Sequence, residues 1–512
     1  MILSHNGGPP LDDDDYLLNA AGLLIPPDLI DPPHIPINPA FLLGRGLRDY
    51  QHAMLLEAAR LMRQGFRRIL LVAPTGAGKT VIASALMHSA ARLGLTSEFI
   101  VHRKELIKQT SRSFAERDLQ HGFVASGWPF SPDTGITLTG VQTLVNRLAL
   151  IFPPNLAIVD EAHHAVSETW SRVLNGYPDT FILGLTATPE RLDGRGLKEH
   201  FDAIVVGPSV AELIRRGFLS PFEFYAPAIP DLSEVGDVAG DFNRGGVDRV
   251  MNQPKVIGNV VEHYLSLAPG EQGLLFANSR DHSRAMVEMF KAEGIPAMHV
   301  DGSMSQAERD YFDDAFRAGD IRLGSAVDLF GEGYDVPNVS YIGDCAPTKS
   351  RSKVKQKWGR PLRLSPGKVR AIICDHAGNA VQQRHGLPDD EYHPTLEGRP
   401  KKDVAEKDWT TITQCPECFR VYPSSQAQCP GCHTVAPAQP RIVREETGKL
   451  TKLEKEAVRQ AAFLKRKKEE WACTSIEEFE SLGRARQYDH AIKWAYRQCK
   501  MRGISTARKP RT

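Results

Sequence analysis

Between the apolar run Arg68-Ile69-Leu70-Leu71-Val72 and a helical pattern opening near Val81 lies Ala73-Pro74-Thr75-Gly76-Ala77-Gly78-Lys79-Thr80. A strand that turns through glycines into a helix aims backbone N–H groups and the positive end of the helix dipole at one point, where phosphate oxygens bind well. Gly76 and Gly78 allow the turn without a Cβ in the way. Lys79 can reach the β and γ phosphates of a nucleotide, and the Thr80 hydroxyl can ligate Mg²⁺. Ala73 stands where the common form of this loop begins with glycine. About 80 residues later, Asp160-Glu161-Ala162-His163 closes the apolar run Leu156 to Val159. Carboxylates at a strand end beside a phosphate loop suit metal and water activation. Asp160 would hold Mg²⁺, and Glu161 would act as general base. Taken alone, the tetrapeptide also fits an acidic turn beside a satisfied histidine.

A second group of reactive residues is Cys415-Pro-Glu-Cys418 and Cys429-Pro-Gly-Cys432, spaced C-x₂-C-x₁₀-C-x₂-C. Two such knuckles close a tetrahedral Zn²⁺ shell with no open position, which makes a structural site. Reduced surface thiols or a redox pair are the alternatives. His433 is a spare ligand only if a cysteine fails.

The elements around these groups follow one rhythm. Short apolar runs at 68–72, 99–101, 136–138, 156–159 and 181–185 alternate with helical patterns up to Ile214. A second series follows at 273–277, 297–300, 321–324 and 371–374. Near-continuous apolar strands separated by helices indicate parallel α/β sheets. The stretch from Val235 to Gly246 reads as a loop, and after Gln383 the pattern dissolves into Pro, Asp and His. Helices are expected at 451–470 and within 476–501.

Taken in order, these segments resemble the motifs of a superfamily 2 DEAD/DEAH-box helicase, over roughly residues 45 to 380. Residues 75–80 and 160–163 look like motifs I and II. Leu47-Arg48-Asp49-Tyr50-Gln51 resembles the upstream adenine-reading element. Val101-His102-Arg103-Lys104-Glu105-Leu106 is similar to motif Ia and Thr139-Gly140-Val141-Gln142-Thr143 to motif Ib. Thr186-Ala187-Thr188-Pro189 matches motif III and Phe276-Ala277-Asn278-Ser279 motif IV. Gly331 to Pro337 resembles motif V, and Gln356-Lys357-Trp358-Gly359-Arg360-Pro361-Leu362-Arg363 motif VI.

This resemblance implies an ATPase that moves on or unwinds a nucleic acid. Thr75, Gly76, Ala77, Gly78, Lys79 and Thr80 would bind ATP, with Gln51 on the base. Glu161, Asp160, Lys79, Gln356, Arg360 and Arg363 would carry turnover. His163, Thr186, Thr188, Gly333 and Asp335 would couple the nucleotide state to movement. Arg103, Thr143 and Asn278 would touch the nucleic-acid backbone. The missing Pro-Thr in motif Ia and the order Ser325-Ala326-Val327-Asp328 depart from RNA-remodelling members. With Thr186 to Leu197 and Asp375-His376-Ala377-Gly378-Asn379, they resemble bacterial and prophage helicases that act on DNA. An RNA helicase remains open, as does a zinc-ribbon binding factor with a degenerate motor. Trp358 and Pro361 are unusual within motif VI.

The expected fold is α/β, with two tandem RecA-like parallel-sheet lobes, a small zinc ribbon and a helical tail. The expected boundaries are 1–45 for an extended lead-in, 46–215 and 216–383 for the lobes, 405–440 for the ribbon and 441–512 for the tail. A chain of 512 residues exceeds one core. Its 41% apolar and 24% charged residues fit an ordinary globular protein. No run reaches the roughly 18 apolar residues that span a bilayer, and no secretory signal is seen, so a cytoplasmic location without a membrane partner is expected. The net charge of +1 hides a tail from Arg441 with about nine more basic than acidic residues. That tail would grip phosphates or simply be a solvated helix. Its Trp471, Tyr488, Trp494 and Tyr496 would stack on bases or form a small core.

Overall fold

The structure is a computed structural model. It describes residues 17–18, 24–25, 35–42, 46–164, 167–189, 196–226, 232, 235–238, 241–252, 254–330, 338–398, 412–435, 470, 473–485, 490–502 and 504. The chain divides into two compact units, 1–436 and 437–512.

The larger unit holds two parallel sheets. In the first lobe the strands are β1 (Arg68–Val72), β2 (Ser97–Val101), β3 (Gly122–Val124), β4 (Ile136–Gly140), β5 (Leu156–Val159), β6 (Phe181–Thr186) and β7 (Ala203–Val206). Their spatial order is β3-β4-β2-β5-β6-β1-β7, every pair parallel. Its helices include α1 (Asp49–Arg63), α2 (Lys79–Arg92), α3 (Lys104–Ala115) and α4 (Glu168–Asn175). β1, β2 and β5 are almost wholly buried, as strands covered by helices on both faces must be.

The second lobe has β8 (Phe222–Tyr225), β9 (Gly273–Phe276), β10 (Ala297–Val300), β11 (Leu323–Ala326), β12 (Tyr341–Asp344) and β13 (Ala371–Asp375). These run β8-β13-β12-β9-β11-β10, again all parallel. Among its helices are α5 (Gln306–Ala318) and α6 (Arg351–Gly359). The two α/β lobes expected from the sequence are therefore present. Four strands, β3, β7, β8 and β12, were not expected. The stretch 235–246 is not a plain loop. Asp237–Val238 and Asp241–Phe242 pair as short antiparallel strands, and Asp241 accepts hydrogen bonds from Thr348 Oγ1 at 2.7 Å and Lys349 N at 2.8 Å.

Residues 384–398, expected to be featureless, form a strap. Leu387 packs in the second lobe's core and Leu396 in the first lobe's. Between them Tyr392 lies against the cations of Arg351, at 4.8 Å, and Lys355, at 3.9 Å. The Leu396 carbonyl accepts Lys198 N at 3.0 Å. A Cβ on Gly196 would collide with that carbonyl, so only glycine lets the strap lie this close.

The cysteine segment is a hairpin of β14 (Ile412–Gln414) and β15 (Val421–Pro423). It docks on the second lobe's edge strand. Ala226 N donates to Phe419 O at 3.1 Å, Arg420 pairs with Glu223 at 3.4 Å, and Val421 joins that lobe's core.

The smaller unit contains α7 (Ile476–Ala485) and α8 (Ala491–Arg502). The helix expected at 451–470 lies outside the described residues, save Glu470. No described helix is long and apolar enough to cross a membrane.

Candidate functional site: the cleft between the lobes

The phosphate loop leaves β1 and enters α2. Ala73 is buried, and its N–H donates to Thr186 O at 3.0 Å, so it prolongs the strand pairing. Its φ is not positive, which is why alanine serves where glycine is usual. Gly76 (φ +87) and Gly78 (φ +79) take the left-handed turns that require glycine. A Cβ on Gly76 would lie 2.8 Å from Leu219 Cδ2. Lys79 Nζ hangs 3.4 Å from the Ala73 carbonyl.

Lys79 and Thr80 line a cavity of about 760 Å³, together with Thr75, Gly76, Gly78, Asp160 and Glu161 of the first lobe and Arg360 and Arg363 of the second. That volume falls within the range of small-molecule sites. Arg48 and Phe218 also line it, with the Arg48 guanidinium 4.8 Å from the Phe218 ring centre. Phe218 was not singled out from the sequence, because an isolated aromatic carries no spacing signal. Further along the cavity, Lys108 of α3 pairs with Asp310 of α5 across the lobes at 2.7 Å. This pair is exposed and contributes little to stability.

Asp160 directly follows β5. Glu161 is buried and holds φ +48, an uncommon conformation for a side chain with a Cβ. From it a chain of contacts runs to the other lobe. His163 Nδ1 lies 3.4 Å from Glu161 Oε2 and 3.2 Å from Thr186 Oγ1. The Thr186 hydroxyl donates to Thr188 O at 2.8 Å. The Thr188 hydroxyl donates to Ser352 Oγ on α6 at 2.8 Å.

The helix α6 ends at the arginines and is anchored on Asp344, a residue the sequence did not single out. Asp344, fully buried at the end of β12, accepts Lys357 Nζ at 2.5 Å, Trp358 Nε1 at 3.0 Å and Asn379 Nδ2 at 3.0 Å. The Trp358 ring meets Phe224 edge-on at 4.8 Å. The unusual tryptophan is thus a fixing pin for the helix. Asn379 also receives Thr348 N at 2.9 Å. Asp375 caps the turn beneath, taking Ala377 N and Ala380 N. Burial, with Asp344 beside it, holds the Asp375 carboxyl well above the usual range. Lys368 donates to the carbonyls of Val339, Pro361 and Arg363, and burial pulls it down to about 8. A Cβ on Gly359 would lie 2.5 Å from Thr75 Cβ, so the end of α6 sits directly on the phosphate loop.

Of the other expected residues, some line the cavity and some lie outside it. Gln51 is buried, with Nε2 donating to Ala77 O at 2.8 Å and Oε1 accepting Arg48 N at 2.9 Å. It braces the phosphate loop through Ala77 and is not among the residues that line the cavity. Gln356 is buried one turn before Arg360 and does not line the cavity. Arg103 immediately precedes α3 and lines the cavity, donating to Asp328 O at 3.4 Å. Thr143 lies half-buried on the short helix after β4. Asn278 Nδ2 donates to Arg244 O at 3.1 Å. Of these three, only Arg103 lines the cavity. Gly333 and Asp335 lie outside the described residues.

In the hairpin, the four Sγ atoms of Cys415, Cys418, Cys429 and Cys432 lie within 4.8 Å of one another. Cys415 and Cys432 are 3.4 Å apart, and Cys418 and Cys429 3.5 Å. A tetrahedron with metal–sulfur bonds of about 2.3 Å sets its sulfurs roughly 3.8 Å apart, so the cluster fits a metal ion. Phe419 (φ +59) and His433 (φ +58) occupy the same place after each knuckle. His433 N donates to Cys429 O at 3.0 Å, and its ring is not part of the cluster.

Residues 45–191 match the family described as type III restriction enzyme, res subunit, and residues 256–365 match the helicase conserved C-terminal domain. A 51.5 kDa protein of a Lactococcus phage is 34% identical over 71% of this chain and 77% of its own length. The putative ATP-dependent helicase IRC3 of Saccharomyces cerevisiae is 32% identical over 65% of this chain. The match spans about half of the yeast protein, 51%. The DNA 3'-5' translocase XPB2 of Sulfurisphaera tokodaii is 27% identical over 62% of this chain and 78% of its own. The chain belongs to superfamily 2 of the helicases, enzymes that hydrolyse ATP.

Proposed function

We propose that this chain is a DNA helicase or translocase that hydrolyses Mg²⁺-ATP between its two lobes. One observation carries the reading: Lys79 and Thr80 from one lobe and Arg360 and Arg363 from the other line a single cavity. The similarity to a DNA translocase supports DNA as the track. The lobes would span 46–215 and 216–383, followed by the ribbon within 405–440 and the tail from 441.

The left-handed glycines and the start of α2 would cradle the phosphates, and Lys79 would neutralise them. Thr80 and Asp160 would hold Mg²⁺, which supplies charge stabilisation at the transferring phosphoryl group. Glu161 would accept the proton of the attacking water. Arg360 and Arg363 would meet the γ-phosphate as it departs, a contribution worth roughly 10³ to 10⁵ in turnover. His163, Thr186 and Thr188 would pass the change at Glu161 to Ser352 and so to α6. Zn²⁺ would close the four-cysteine cluster as a structural ion.

The test is ATP turnover measured without nucleic acid and with single-stranded DNA, duplex DNA or RNA. Stimulation by DNA is expected. Stimulation by RNA alone would make the enzyme an RNA helicase, and no stimulation would favour a binding factor.

A further inference from the structure

We infer that the outer face of α8 docks a nucleic-acid phosphate backbone, using residues that take no part in the cavity between the lobes. The inference rests on the reading above only in taking nucleic acid as the track. The smaller unit has its own core, made by Cys473, Ile476, Phe479, Ala495 and Cys499, with Leu482, Trp494 and Ile504 packed around it. Phe479 meets Trp494 edge-on at 5.9 Å. A Cβ on Gly483 would lie 3.0 Å from Trp494 Cε3 and 3.1 Å from Ala491 Cβ, so the helices cross closely. Trp494 is therefore a core residue and not a platform for bases. Ala491, Ala495 and Cys499 face inward.

That packing fixes what points outward. Ile492, Lys493, Tyr496, Arg497 and Lys500 are exposed. Positions 493, 496, 497 and 500 are three, four and seven apart, so they share one face along about 10 Å of helix. α8 carries no acidic residue. Two acids of α7 are engaged within their own segment. Glu478 caps Thr474 N at 2.6 Å, and Glu480 pairs with Arg484 at 2.5 Å. Arg502 is a structural cation, donating to Glu470 O at 2.6 Å and lying over the Phe479 ring. Lys493, Arg497 and Lys500 make no ion pair among the described residues. Like charges three and four apart on a helix repel, so this stripe costs the isolated unit stability. A polyanion relieves that repulsion and matches the sign and the spread of the charges. Tyr496, 53% exposed among the cations, adds a flat ring for a sugar or an unstacked base.

The experiment uses the full chain with Lys493, Arg497 and Lys500 all changed to alanine. Binding to labelled duplex and to single-stranded DNA is followed by fluorescence anisotropy over a NaCl series. Three lost phosphate contacts should flatten the slope of log affinity against log salt by about 2.7 on duplex, or about 2 on a single strand. The arm that flattens identifies the docked form. A charge-keeping variant, K493R/R497K/K500R, should retain the wild-type slope. ATP turnover without nucleic acid should be unchanged in both variants. A wild-type slope in the alanine variant on both DNAs overturns the inference and leaves an acidic protein surface as the occupant. A loss shared by the charge-keeping variant overturns it as well. Wild-type ATPase unmoved by nucleic acid would remove the motor reading, whereas the slope comparison would still decide this one.

Discussion

Thr188 of the first lobe donates its hydroxyl to Ser352 of the second at 2.8 Å, a hydrogen bond across the seam that ends the contact chain starting at Glu161. Ser352 lies on α6, the helix that runs to Gly359 and Arg360. Under the proposed function, a change at Glu161 would have a short polar route to this helix. Thr188→Val and Ser352→Ala should each reduce nucleic-acid-stimulated turnover while basal turnover persists. In a double-mutant cycle the two should couple by about 0.5–1.5 kcal/mol, the net range of one hydrogen bond. Additive effects would mean that the contact transmits nothing.

Lys79→Ala should abolish ATP turnover, because the cavity then loses its cation on the phosphate side. Glu161→Gln should still bind ATP and DNA but turn over roughly 10² to 10⁴ times more slowly, the usual contribution of a general base. Nucleotide binding measured beside steady-state hydrolysis separates the two variants. Wild-type rates in either one would refute its assigned role.

Asp344→Ala should destabilise the protein by about 3–5 kcal/mol, since Lys357 would be left as a buried, uncompensated charge. Thermal unfolding reads the loss. Turnover should fall with it, because Trp358 and Asn379 lose the same acceptor. Joint replacement, Asp344→Asn with Lys357→Met, should recover much of the stability.

Glu98 gives a pH dependence of definite sign. It is wholly buried in the first lobe, accepting Thr139 Oγ1 at 2.6 Å and Tyr177 OH at 2.8 Å. Burial raises its carboxyl from 4.5 to about 7. Between those values the folded state holds a proton that the unfolded state has released, so stability falls as pH rises through the window. Glu98→Gln should flatten that decline, as denaturant melts at pH 5 and pH 8 would reveal. An unaltered pH profile in the variant would disprove the assignment.

Chelation of the cysteine cluster should open residues 412–435 to proteolysis, because that segment's own core is little more than its thiols and Tyr422. Basal ATP turnover should change little, since the hairpin supplies none of the cavity lining. Metal analysis of protein purified without chelator should find one zinc per chain, and its absence would end the zinc assignment.

The phosphate loop and the Asp160 turn were legible because each sits at the end of a buried strand whose residues form a nearly unbroken apolar run, which gives a strong local signal. β3, β7 and β8 were missed for the opposite reason. They are short and lie at or next to sheet edges, where burial is incomplete. β12 is interior, but its apolar run is broken by Gly343 and ends in Asp344. A buried carboxylate reads as surface until its partners are known, and Lys357, Trp358 and Asn379 come from 13 to 35 positions away. Trp358 looked out of place for the same reason. Gln51 was assigned to the nucleotide by its place in a motif, and its amide also bonds the backbone of Arg48 and Ala77, which the spacing did not reveal. Spacing locates such residues well, but it does not show which way a side chain turns.

The strap from Leu387 to Leu396 gives the lobes a second attachment, besides the direct linker that enters β8. Its nine steps can stretch to about 30 Å at most, which caps how far the two bodies can part. A plate pinned at two places swings about the line through the pins and resists other rotations. The same peptide that limits the swing also grips Arg351 and Lys355, so the leash is tied to the helix bearing the arginines.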